Sequence, residues 1–104
     1  MTRNFTKDEV ETVILQAILS RPPLEVGRCK VHILEQEGEE LVVKNMEKTQ
    51  EVTNLTDLEE ALNDENVSRI YIPKFASVTS KGLKNVLNRA SLSKNIYCAF
   101  NVNI

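Results

Sequence analysis

The run IYIPKFASVTSKGLKNVL, residues 70–87, constrains the fold more than any other part of the chain. It begins with a β-branched and aromatic segment typical of a buried strand, which Pro73 ends because proline cannot donate to a sheet ladder. A polar loop and an amphipathic helix over about residues 79–90 follow, and residues 95–104 then alternate between two faces as a strand does. Two strands joined by a helix predict a right-handed parallel crossover within a larger sheet.

The amino-terminal part of the chain predicts a helix followed by a hairpin. Apolar residues recur at spacings of three and four over residues 7–20, and Pro22 forbids continuation of that helix. Thr6 and Glu9 form a capping box at its start. Residues 28–45 predict a hairpin, because an alternating strand is followed by a charged turn and by LVVK, residues 41–44, as its partner.

The middle of the chain has a weaker pattern of apolar residues. Residues 46–53 carry only two apolar side chains and predict mostly a loop. Thr56 and Glu59 form a second capping box, which predicts a short acidic helix ending near Asn63. The predicted order is therefore α-β-β-α-β-α-β, with a mixed sheet of about four strands covered by two or three helices in an α+β or α/β fold.

Length and composition are those of one globular domain spanning residues 1–104. The chain has 41% apolar and 27% charged residues, and no apolar run approaches the roughly 18 residues that a transmembrane helix needs. Cys29 and Cys98 lie in apolar strand patterns without CxxC spacing, so they are expected to be buried thiols in a reducing compartment. We therefore expect a cytoplasmic protein with no membrane partner.

Charge is divided along the chain. Residues 1–67 contain seven Lys and Arg against fifteen Asp and Glu, whereas residues 68–104 contain six Lys and Arg and no acid. Such asymmetry indicates a charged partner, unless acidic and basic surfaces neutralise each other in the folded domain.

The last predicted helix concentrates this positive charge on one side. A rotation of about 100° per residue places Asn85 and four candidate interaction residues opposite its apolar stripe; these four are Lys81, Lys84, Asn88 and Arg89. The general interpretation is an ordinary solvated helix face. The functional interpretation, which we adopt as the leading hypothesis, is a non-catalytic protein-interaction domain that uses this face to bind an acidic partner or a second copy of itself.

The loop before that helix is the alternative candidate. In sheets with parallel strands, ligands bind beyond the carboxyl ends of the strands. The possible anion-binding residues are Lys74, Ser77, Thr79, Ser80 and Lys81. They predict a small-anion or phosphate site, although no glycine-rich phosphate loop is present and Ser77 or Thr79 could simply cap the helix.

No catalytic or metal-binding set stands out. His32 is the only histidine and has no companion motif, so we expect a structural role for it. Two distant cysteines and solvated acids do not form a metal site, and we expect no metal and no cofactor. A sequence pI near 5.4 and only five aromatic residues argue against nucleic-acid binding.

Overall fold

The computed structural model describes residues 7–102, with side chains from Glu9 onward, as an α+β fold with one five-stranded mixed sheet. In this range the elements are α1 (Lys7–Ser20), β1 (Leu24–Val26), β2 (Cys29–Ile33), α2 (Glu39–Lys44), β3 (Thr49–Glu51), α3 (Leu55–Asn63), β4 (Arg69–Ile72), α4 (Ser80–Arg89) and β5 (Asn95–Cys98). The mixed-sheet prediction is confirmed, with one more strand and one more helix than the sequence patterns indicated. The predicted Thr6 cap lies outside the described residues.

The strand order in the sheet is β1-β2-β5-β4-β3. β1 and β2 form an antiparallel hairpin, whereas the β2–β5, β5–β4 and β4–β3 pairs are parallel. The predicted parallel pairing of the strands on either side of the last helix is confirmed. β5 is therefore the central strand, and both of its edges are paired.

The hairpin lies earlier in the chain than the sequence suggested. Its turn is centred on Gly27, whose φ of 60° is accessible to glycine without strain, and its first strand follows directly after Pro23. The prediction of a hairpin over residues 28–45 is wrong, because its second half forms a helix.

Residues 41–44, predicted as a strand, belong to this helix, α2. The run LVVK looks like a strand because of its two valines, yet Glu39, Val42 and Val43 are the buried residues and Leu41 is exposed. This spacing of three and four is the helical period, so tertiary burial of one side overrides the modest preference of valine for strands.

Two further boundaries differ from expectation. The predicted loop over residues 46–53 contains the edge strand β3, which has little apolar signal because it pairs on one side only. The last strand ends at Cys98 instead of continuing to Ile104, and residues 103–104 lie outside the described residues. Both Ile96 and Tyr97 are buried because a central strand is covered on both faces.

The two faces of the sheet have separate cores. α3 and α4 cover one face with residues such as Leu58, Leu83 and Leu87, and α1 and α2 cover the other through Ile18 and Val43. Cys29 and Cys98 are unbonded thiols buried in the first core, as predicted. Burial raises the pKa of the Cys98 thiol to about 12, so this group is protonated and unreactive at neutral pH.

The cap of α3 is also different from the one expected. Asn54, instead of Thr56, is the N-cap, and its side-chain oxygen accepts a hydrogen bond of 2.8 Å from the backbone N–H of Asp57. The helix therefore begins at Leu55, two residues earlier than a Thr56 cap would allow. The predicted end at Asn63 is confirmed.

Candidate functional site

The outer side of α4 is polar and exposed. Leu83, Val86 and Leu87 are buried against the sheet. The predicted interaction residues all lie on the exposed side; these are Lys81, Lys84, Asn88 and Arg89. A ten-residue helix thus presents three cations to solvent without an acid of its own.

Close contacts at both ends fix the position of α4. At its start, the Thr79 hydroxyl accepts a hydrogen bond of 3.0 Å from the backbone N–H of Gly82. A Cβ on Gly82 would lie 2.8 Å from Leu55, so α3 packs tightly against this turn. Near its end, the backbone carbonyl of Leu87 would lie 2.6 Å from a Cβ on Gly27. The hairpin and α3 therefore hold the basic face in place.

The six cations of the carboxyl-terminal third have different roles. The Lys94 ammonium is buried and donates to the carbonyls of Asp64, at 2.7 Å, and Val67. Arg69 donates to the carbonyl of Glu47 at 2.8 Å. Lys94 completes backbone hydrogen bonding in the interior and the half-buried Arg69 does so near the surface, so both cations already bind groups of the domain itself.

Arg89 is the one cation of the α4 face with an ion pair among residues 7–102. Its Nη2 lies 3.4 Å from Oε1 of Glu59 on α3, and both side chains are more than half exposed. Such a surface pair is worth at most about 1 kcal/mol. Lys81 and Lys84 have no described carboxylate within 4.0 Å, and they are therefore the centre of the remaining positive face.

The loop between β4 and α4 does not gather its polar residues into one place. Ser77 donates its backbone N–H to the Thr53 carbonyl at 2.7 Å, and Thr79 serves as the helix cap. Ser80 and Lys81 belong to the first turn of α4. Lys74 instead borders a crevice that is formed with the ends of β2 and β5. The predicted anion-binding residues are thus divided between the start of α4 and this crevice.

The crevice lies at the carboxyl ends of the parallel strands and has a volume of about 390 Å³. Its lining comes from the segments that follow β2, β4 and β5, and consists of Leu34, Glu35, Lys74, Ala99, Phe100 and Asn101. The sequence pattern missed Phe100 and Asn101 as candidates because they extend the alternation of the last strand. The signal that could have found them is their position directly after a central parallel strand.

An ion pair between a half-buried guanidinium and a buried carboxylate lies beside this crevice. Arg21 donates to both carboxylate oxygens of Glu39, at 2.8 and 3.0 Å, and to the Ile33 carbonyl. Glu39 is 2% exposed and also accepts from the backbone N–H groups of Glu35 and Gln36. Burial alone would raise the pKa of Glu39, but these hydrogen bonds lower it below its usual value. The pair links the end of α1, β2 and the start of α2.

His32 and Tyr97 form a stacked pair on the face covered by α1 and α2. Their ring centroids are 4.9 Å apart, and His32 Nε2 lies 3.4 Å from Asn95 Oδ1. His32 is buried, and this burial lowers its pKa, so the imidazole is neutral at neutral pH. Within the described part of the chain, no group of three or more His, Cys, Asp or Glu side chains could hold a metal ion.

Comparisons with known proteins gave no family to which the chain could be assigned. No protein-family model, curated protein or solved structure matches it. Among the helices of residues 7–102, none has the length and apolar character needed to cross a membrane.

Proposed function

We propose that this chain is a non-catalytic, cytoplasmic docking domain whose α4 face binds an acidic segment of a partner protein. The face consists of Lys81 and Lys84 at its centre, with Asn88 and Arg89 toward the end of the helix. The single observation that supports this proposal best is the lack of any described carboxylate within 4.0 Å of the two central lysines, although the domain carries a net charge of −2.

The distribution of acids offers further support, because every Asp and Glu lies outside α4 and outside the segment that follows it. Glu59 neutralises Arg89, but in the described residues no ion pair reaches the first two turns of α4. A surface with uncompensated charge of one sign attracts partners of the opposite sign and accelerates their association. The buried thiols of Cys29 and Cys98 fit the reducing compartment proposed here.

The affinity for a defined acidic peptide tests the proposal. We expect a fluorescein-labelled peptide of alternating Glu and Ser to bind, and a matched Gln–Ser peptide not to bind, in a fluorescence anisotropy titration. Reversing both central charges with Lys81→Glu and Lys84→Glu should weaken binding at least about tenfold, because each attraction becomes a repulsion.

A double variant with the same change in net charge is the control. Lys30→Glu with Lys44→Glu alters two exposed lysines on β2 and α2, away from α4. This control should bind the acidic peptide within about twofold of the wild type, since only long-range, screened interactions change. Equal losses in the two double variants, or no binding of the acidic peptide to the wild type, would refute the proposed docking face.

A further inference from the structure

The crevice lies beyond the carboxyl end of β5, where the connecting helices change from one face of the sheet to the other. After β2 the chain passes to α2 on one face, and after β4 it passes to α4 on the opposite face. β5 lies between these two strands. The connections therefore diverge from the carboxyl end of the central strand and leave an opening there, which is the position at which open parallel sheets bind ligands.

The side chains around this opening combine one cation, an apolar floor and polar hydrogen-bonding groups. Leu34 and Ala99 are buried in the core on the α1–α2 side and form the floor, whereas Phe100 is half-buried against the core on the α3–α4 side and lines the opening from there. Lys74 is exposed and has no described carboxylate within 4.0 Å. The volume of about 390 Å³ falls within the range of about 300–1,000 Å³ that is usual for small-molecule sites.

Glu35 on the rim determines which anions would fit. A bare anion would be repelled by this carboxylate, although Arg21 Nε at 3.6 Å offsets part of its charge. A ligand with both an N–H donor and a negative group would suit this lining. Glu35 can accept a hydrogen bond from the N–H donor, and Lys74 can neutralise the negative group.

From these observations we propose that the crevice binds a small organic anion, with a ring that packs on Phe100, a phosphate or carboxylate that pairs with Lys74, and an N–H group facing Glu35 or Asn101. This site shares only Lys74 with the anion-binding loop predicted from sequence. It is also independent of the docking function of α4, which depends on Lys81 and Lys84.

A nuclear magnetic resonance titration with adenosine monophosphate tests this inference, because that probe has a ring, an amino group and a phosphate. We expect backbone amide shifts centred on residues 34–35, 74 and 99–101. N6,N6-Dimethyladenosine monophosphate, whose base has no N–H group, and neutral adenosine should each bind more weakly. Lys74→Gln should reduce the affinity at least about tenfold, whereas Lys84→Gln should leave it unchanged.

Three results would overturn the inference. The first is an absence of residue-specific shifts with adenosine monophosphate and with phenyl phosphate up to about 10 mM, well above the millimolar dissociation constants of weak specific sites. The second is a set of shifts centred on α4, which would indicate only attraction to its basic face. The third is an unchanged affinity in Lys74→Gln, with native spectra confirming that the variant is folded.

Discussion

Replacement of Glu39 by alanine is expected to lower the free energy of unfolding by about 3 kcal/mol, measured by urea denaturation. The carboxylate is 2% exposed and accepts from the Arg21 guanidinium and from two backbone N–H groups. Its removal leaves the two backbone N–H groups without this acceptor at the junction of β2 and α2, while Arg21 keeps only the Ile33 carbonyl and the more exposed Glu35 as partners. Each unsatisfied buried donor carries a penalty of about 1–3 kcal/mol, which water entering the site reduces in part.

Glu37→Ala is the matched control for this substitution. Glu37 lies in the loop that precedes α2 and is exposed, so its replacement should change the unfolding free energy by less than about 0.5 kcal/mol. Glu39→Gln should recover part of the loss, because the amide oxygen remains an acceptor. Equal stabilities of Glu39→Ala and Glu37→Ala would show that the buried pair does not hold this junction together.

The stabilisation by Glu39 also depends on pH, and its sign follows from the lowered pKa. A carboxyl whose pKa is lower in the folded than in the unfolded state stabilises the fold above the unfolded value and loses this contribution as pH falls through the folded value. The difference in stability between the wild type and Glu39→Ala should therefore be full at neutral pH. It should shrink as the pH falls below the usual glutamate value of 4.5.

Gly27→Ala is expected to destabilise the domain by about 2–5 kcal/mol. Two effects add at this position. A φ of 60° costs a residue with a Cβ about 1–2 kcal/mol, and the new Cβ would lie 2.6 Å from the backbone carbonyl oxygen of Leu87 on α4. Because both atoms belong to well-packed backbone, the hairpin and α4 must move apart to relieve the contact, at a further cost of about 1–3 kcal/mol.

Gly38→Ala separates the two effects. Gly38 also has a positive φ, of 93°, but a Cβ there would have no atom within 4 Å. Only the backbone conformation opposes this substitution, so we expect a loss of about 1–2 kcal/mol in the same urea experiment. If Gly27→Ala were no more destabilising than Gly38→Ala, close packing of the hairpin on α4 would not be what positions the basic face.

The parts of the fold that sequence alone predicted are those with local signals. The bounds of α1 follow from its apolar spacing and from Pro22, and the pairing of β4 with β5 follows from the strand–helix–strand pattern. The identity of α2 could not be read in the same way. Its valines favour a strand locally, and the helical period becomes visible only once one knows which side faces Ile18 and the sheet.

Strand order also could not be predicted from the sequence, and it determines where the crevice lies. The last strand in the chain is the central strand of the sheet because β2 and β4 pair on its two sides. Order along the chain does not determine neighbours in a sheet when helices make the connections. Neither the crevice above β5 nor the protection of its edges could therefore be predicted from the alternation of residues 95–104.

For the candidate site, helical periodicity correctly indicated which α4 side chains face solvent but not which charges remain unpaired. The pairing of Arg89 with Glu59 depends on how α3 packs beside α4, and the burial of Lys94 depends on the turn that precedes β4. Both are long-range consequences of the fold. Six cations suggested a basic surface. Among the described residues, three of them have no ion pair or side-chain hydrogen bond within the domain; these are Lys74, Lys81 and Lys84.

Mapping the acidic-peptide complex by nuclear magnetic resonance tests the central claim most directly. Adding the Glu–Ser peptide to the wild-type domain should shift amide signals along residues 81–89. Binding should weaken as the salt concentration rises from about 10 to about 150 mM and the Debye length falls from about 30 to about 8 Å. Shifts located on α1 or α2 instead, or an affinity that is indifferent to salt, would contradict the assignment of α4 as the docking face.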